Sequence, residues 1–128
     1  MPTNIDKFNA EVEKFTATLV PEQIRFFQRR IVLELLTRIV EGTPVATGLA
    51  RANWQVTIGE VSEELFEVRG PSEVISAGMQ AVSDIPPFSI VYITNNVPYI
   101  VFLERGHSKQ APKGMVEVSV GELLGLFS

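Results

Sequence analysis

The sequence predicts an α+β domain: a long N-terminal helix, or a kinked helix pair, packed on a mainly antiparallel sheet of about four to five strands, with a short second helix. Three observations predict it. Up to Glu41, apolar residues recur at spacings of three and four, the period of a helix with one buried face. Beyond Trp54, short runs alternate apolar with polar side chains or are rich in β-branched and aromatic residues, as strands are. The breaks at Glu60–Ser62 and Asn95–Pro98 have the length and composition of hairpin turns. With 128 residues the chain is one domain, residues 1–128, able to bury about two-thirds of its unfolded surface.

In chain order, Thr3 or Asn4 can cap the first helix, and Asp6 places negative charge in its opening turn. Ile5, Phe8, Val12, Phe15 and Leu19 make its apolar stripe. Pro21 has no N–H to lose, so a second helix or a bend starts there. From Glu22 to Glu41 the apolar face broadens, with Ile24, Phe27, Ile31, Val32, Leu35, Leu36 and Ile39. Arg30 and Glu34 stand one turn apart and can pair weakly, and Gly42 is placed to end the helix. Thr43–Gly48 is a loop, because Pro44 disfavours helix at Thr43.

Trp54, Val56 and Ile58 then alternate as a strand, and Glu63–Arg69 alternates again as its hairpin partner. Gly70 and Pro71 break that strand, and Ser72 is expected to cap a short helix reaching Val82. Asp84–Pro87 is a connector. Phe88–Thr94 and Tyr99–Leu103 form a second hairpin, and the chain then enters a polar loop with Gly106, Pro112 and Gly114. From Met115 the run VEVSV alternates as a strand, and GELLGLF closes as a short helix. Trp54 and Phe88 are expected in the core.

Composition excludes several function classes. The formal charge is -4 and the pI about 5.0, an acidic balance that opposes tight, sequence-independent binding to nucleic acid. There is no cysteine, which removes disulfides, thiolate zinc sites and cysteine catalysis, and suits synthesis in a cytoplasm. No membrane span and no signal peptide is expected. One histidine and scattered carboxylates make no metal site, and no cofactor is expected. Ser108 beside His107 lacks an orienting third group, so no hydrolytic triad can be written. The glycines at 42 and 48 do not make a phosphate loop, because Leu49 follows where Lys is needed. Arg25, Arg29, Arg30 and Arg38 interleave with glutamates, as a solvated helix face or an inter-subunit ion-pair surface would. The loop from Arg105 to Gly114 is long for a connection, which points to function.

Two stretches carry the specific information, TPVATGLARANW (43–54) and the run from Asn96 to Val116. They resemble the paired signatures of the neck and tail-completion proteins of long-tailed bacteriophages. The first matches at Thr43, Pro44, Thr47, Gly48, Arg51 and Trp54. The second matches at Asn96, Pro98, Tyr99, Leu103, Glu104, Gly106, Ser108, Gln110, Ala111, Pro112, Gly114, Met115 and Val116. Ala46 departs from the pattern, where Asp is frequent.

The resemblance implies a virion structural protein made in the bacterial host. It implies a homo-oligomeric ring, commonly a hexamer, that joins the head connector to the tail tube or tail terminator, with DNA only as passing cargo. It implies no reaction. A tail terminator, which also forms a ring at that end of the tail, is the near alternative. A small peptide- or ligand-binding domain that uses residues 105–114 is the alternative of another class.

The two loops, Thr43–Arg51 and Arg105–Gly114, are expected to lie together and to make the subunit or tail contacts. The candidate interface residues are Thr43, Pro44, Thr47, Gly48, Arg51, Glu104, Gly106, His107, Ser108, Lys109, Gln110, Pro112 and Met115. Glu104 is placed to bond backbone N–H groups of a loop and fix it.

Overall fold

The computed structural model describes residues 3–17 and 19–126. Its elements are α1 (Asn4–Thr16), α2 (Pro21–Gly42), α3 (Leu49–Ala52), β1 (Gln55–Ile58), α4 (Pro71–Ala81), β2 (Val91–Thr94), α5 (Ile100–Glu104) and α6 (Val116–Gly125). The molecule is therefore helix-rich. Its one sheet among the described residues has two strands, not the four to five expected.

The first two helices start as their sequences dictate. The Thr3 hydroxyl accepts the Asp6 N–H (3.1 Å), and the Asp6 carboxylate accepts the Thr3 N–H (3.0 Å), a reciprocal cap. Pro21 opens α2, and the Gln23 side chain accepts the Val20 N–H (3.2 Å). At 22 residues α2 is about 33 Å long, and α4 and α6 pack along it. It buries Ile24, Val32, Leu36, Ile39 and Val40. The main core joins Val32, Leu36, Ile39 and Val40 to Trp54, Val56, Val74, Val82, Ile85 and Met115. Gly78 on α4 has no Cβ, which lets Leu36 and Val56 press against that helix. A smaller core under α1 and α6 gathers Phe8, Val120 and Leu123. Arg38 ties α2 to α6 through Glu122 (3.5 Å) and lies 3.7 Å from Glu34, so Glu34 is engaged by Arg38 and not by Arg30. The stop of α2 is Thr43, not Gly42: the Thr43 N–H bonds the Val40 carbonyl (3.3 Å) and its hydroxyl bonds the Ile39 carbonyl (2.6 Å).

β1 pairs antiparallel with β2, with Gln55 opposite Thr94 and Ile58 opposite Val91. Each strand thus finds a partner far along the chain, and neither expected hairpin forms. The pleat sends Val56, Ile58, Val91 and Ile93 to one face, against α2 and α4. It sends Gln55, Thr57, Tyr92 and Thr94 to the other.

Glu63–Arg69 is not a strand but part of an extended arm that crosses this second face. Side-chain amides take its backbone groups. Gln55 Nε2 donates to the Glu64 carbonyl (2.9 Å), and Asn96 Nδ2 donates to the Ser62 (2.8 Å) and Glu64 (2.9 Å) carbonyls. Asn53 bonds both the N–H (2.7 Å) and the carbonyl (2.9 Å) of Phe66. Backbone groups satisfied in this way are not free for a neighbouring strand.

Four further expectations fail. Tyr99–Leu103 is a helical turn, α5, not a returning strand. A short apolar run does not declare its period, and the Ile100 N–H bonds the Val97 carbonyl (3.1 Å) around Pro98. Val116–Gly125 is one helix despite its alternating start, because Glu104 caps it. Phe127, part of the expected closing segment, lies outside the described residues. The start of α4 is capped at Gly70, whose N–H bonds the Glu73 carboxylate (3.3 Å), and not at Ser72. Trp54 is in the core as expected, whereas Phe88 is exposed and carries a positive φ of 66°.

Candidate functional site

The first loop is anchored from inside. Thr43 is buried, and its hydroxyl accepts the Trp54 Nε1–H (2.8 Å) while donating to Ile39. This buried chain of two bonds joins the end of α2 to the start of β1. Pro44 is buried beside it. Thr47 is exposed and accepts the Leu49 N–H (3.3 Å). Gly48 then turns the chain into α3 at φ 85°, a region open to glycine but costly for other residues. Arg51 on α3 is half-buried, and its Nε has no hydrogen-bond partner among the described residues.

The second loop is anchored by Glu104. Its carboxylate accepts the backbone N–H groups of Met115 (2.8 Å), Val116 (2.8 Å) and Glu117 (3.0 Å). These are orphan donors of the first turn of α6, and a negative charge there also meets the positive end of the helix dipole. The loop closes because Gly106 (φ 86°) packs on the Pro112 carbonyl and Gly114 (φ 84°) packs on Glu104. Met115 fills the main core. Inside the loop, the Ser108 hydroxyl accepts the Gln110 N–H (3.2 Å), and Lys109 and Pro112 point to solvent. The His107 ring stacks on Phe102 at 4.3 Å and 16°.

Gln110 joins the two loops. Its Oε1 accepts the Val45 N–H (2.8 Å), and its Nε2 donates to the Val45 carbonyl (3.4 Å). A side-chain amide that binds both groups of one residue acts as a short strand partner would. The expected nearness of residues 43–51 and 105–114 is thus built from a specific latch. The hollow between them, bordered by Pro44, Thr47, Gly48, Tyr99, His107 and Gln110, measures about 180 Å³. Ligand sites for small molecules are commonly about 300–1,000 Å³.

Ser108 accepts the Gln110 N–H, the His107 ring stacks on Phe102, and among the described residues neither side chain has a hydrogen bond to a carboxylate. No cluster of three potential metal ligands occurs among the described residues. No helix among them is long and apolar enough to cross a membrane.

The sequence reading missed the asparagines. Asn53 is fully buried and satisfies Leu49 (2.8 Å) as well as Phe66. Asn95 donates to the Ala50 carbonyl (2.8 Å) and accepts the Val97 N–H (3.1 Å), which ties α3 to the end of β2. The available signal was that Asn53 and Asn95 each adjoin a strand, where a buried amide needs partners on both ends.

Comparison of the chain with family models, with curated proteins and with solved structures returns no match.

Proposed function

We propose that this chain is a virion-assembly protein of a tailed bacteriophage. It forms a ring at the neck or head-proximal end of the tail, joining head connector to tail and letting DNA pass. The observation that carries the reading is the Gln110 latch to Val45, which makes one surface out of the two signature stretches. The resembling residues divide into those that build this platform and those that lie on it. Thr43, Gly48, Glu104, Gly106, Gly114 and Met115 are used for capping, turning and packing. Gln110 forms the latch, and Thr47 and Pro112 are left at the surface.

The small hollow between the loops weighs against the ligand-binding alternative. The acidic balance suits a conduit that must release its DNA.

The test is electron microscopy of the protein mixed with purified tail tubes and, separately, with head connectors of a long-tailed phage. Rings seated between connector and tube support the neck role. Rings that cap tubes but ignore connectors point to a tail terminator. A protein that joins neither, at any concentration, refutes the reading.

A further inference from the structure

Two surfaces of the domain expose apolar side chains among charges, acidic on one and basic on the other. The first is the arm. Glu60, Glu63, Glu64 and Glu67 are all exposed and make no ion pair among the described residues. Leu65 (64% exposed) and Val68 (60%) stand out between them. Arg69, the one cation of the arm, is folded inward: its Nε bonds the Ala52 carbonyl (2.9 Å) and its guanidinium lies 4.0 Å over Phe66. The second surface is the elbow between α1 and α2. Phe26 is 68% exposed there, beside Phe15, over an open depression of about 470 Å³. Arg29 and Arg30 flank Phe26 one turn on, exposed and without an ion pair among the described residues. The one acid at this spot, Glu22, is already paired with Arg25 (3.1 Å).

The arm lies on the Gln55/Thr57 face of the sheet, and α2 packs on the other face. Phe26 is exposed in the N-terminal half of α2, ahead of the Val32–Val40 stretch that packs in the main core. Arm and elbow thus lie on different elements, and no hydrogen bond or ion pair joins them among the described residues. We infer that the acidic–apolar arm of one copy docks on the basic–apolar elbow of the next copy. Isolated exposed side chains need no explanation, but two patches matched in both charge and apolar content do. Contacts of this head-to-tail kind close into rings when the rotation permits. The inference rests on the ring reading and specifies which surfaces make the ring.

The exposed cations Arg105, Lys109 and Lys113 are the competing partner for the arm. They follow α5, and α5 lies beside the arm: Val61 and Val101 border one depression. Arm-to-loop pairing between two copies can close as a two-fold contact and would then give dimers.

The test is light scattering after size exclusion on three proteins. One carries Glu63→Arg with Glu64→Arg, one carries Arg29→Glu with Arg30→Glu, and one carries Arg105→Glu with Lys113→Glu. All six positions are exposed, so the fold should be retained, as circular dichroism will check. The wild-type chain is expected to reach multiples of 14.2 kDa, with the equilibrium shifting to monomer as salt is raised. Each of the first two variants is expected to lose association by about 100-fold or more, since juxtaposed like charges cost several kcal/mol. An equimolar mixture of those two should reassemble, because the reversed arm of one meets the reversed elbow of the other. The third variant should assemble normally. Assembly of the first two variants at wild-type strength, a mixture that stays monomeric, or loss of assembly only in the third overturns the contact. If rings persist in all of these, the ring reading stands without this contact. A wild-type chain that is monomeric alone and on tail tubes overturns both.

Discussion

Replacing Glu104 by alanine tests the central structural claim, that one carboxylate sets both the second loop and the last helix. Three backbone N–H groups at 2.8, 2.8 and 3.0 Å lose their acceptor together. No other side chain caps α6. A net hydrogen bond to a charged group contributes about 1.5–3 kcal/mol, but three bonds to one carboxylate are not additive. Loss of a cap alone costs about 0.5–2 kcal/mol, and the lost dipole interaction adds up to about 2. Met115 is buried, so water does not readily replace the carboxylate at its N–H. The expected cost is about 2–4 kcal/mol, which for a domain of this size lowers Tm by roughly 6–20 °C.

Glu104→Gln is the sharper probe. Its remaining carbonyl oxygen can still serve Met115 and Val116, while its NH₂ faces the Glu117 N–H, donor against donor. A cost of about 1–2 kcal/mol is expected. Urea denaturation gives both values, and amide exchange locates them at residues 115–117. A loss below about 0.5 kcal/mol for the alanine variant, with those amides still protected, refutes the capping argument.

Other expectations follow from the same geometry. Gly114→Ala places a methyl group against Glu104 in a left-handed conformation, and should cost at least about 2 kcal/mol by urea denaturation; a neutral result would show that the loop has room to shift. Trp54→Phe and Thr43→Val each break the buried bond between these residues, so a double-mutant cycle should return a coupling of about 1 kcal/mol, and zero coupling denies the link. Gln110→Ala should accelerate amide exchange at Val45 about tenfold or more while leaving α2 protected; unchanged exchange would mean the latch contributes nothing. The Asp6 carboxyl is held below the usual carboxylate range by the Thr3 N–H and then by the Thr3 hydroxyl. Its stabilising effect is therefore present above the unfolded carboxylate pKa and is lost as pH falls through the depressed folded value. Protection at the start of α1 should fade over that acid range in the wild type and show no such step in Asp6→Asn.

Much of the helical half was legible. The three-and-four spacing, the Thr3–Asp6 cap and Pro21 at a first turn are local signals, and local hydrogen bonds answer them. The loops were legible as a pair, and so was the bonding capacity of Glu104. The sheet was not. Glu63–Arg69 alternates as well as a strand does, yet its backbone is satisfied by Asn53, Gln55 and Asn96, and no pattern in the arm itself records that. Likewise VEVSV alternates but is helical, because the acceptor that starts its helix lies eleven residues earlier.

By itself, then, the sequence determined the elements whose stabilising contacts lie within a turn or two: α1, α2 and the glycine turns. It also limited the chemistry open to the chain, since without cysteine there is no thiolate ligand or thiol nucleophile. Only the tertiary structure decided which strands pair, that Tyr99–Leu103 and Val116–Val120 coil, and that Glu63–Arg69 runs as an arm and not as a strand. The reason is physical. Short runs satisfy strand and helix geometry about equally well, and the choice falls to partners many residues away, such as Glu104 and the three amide side chains under the arm.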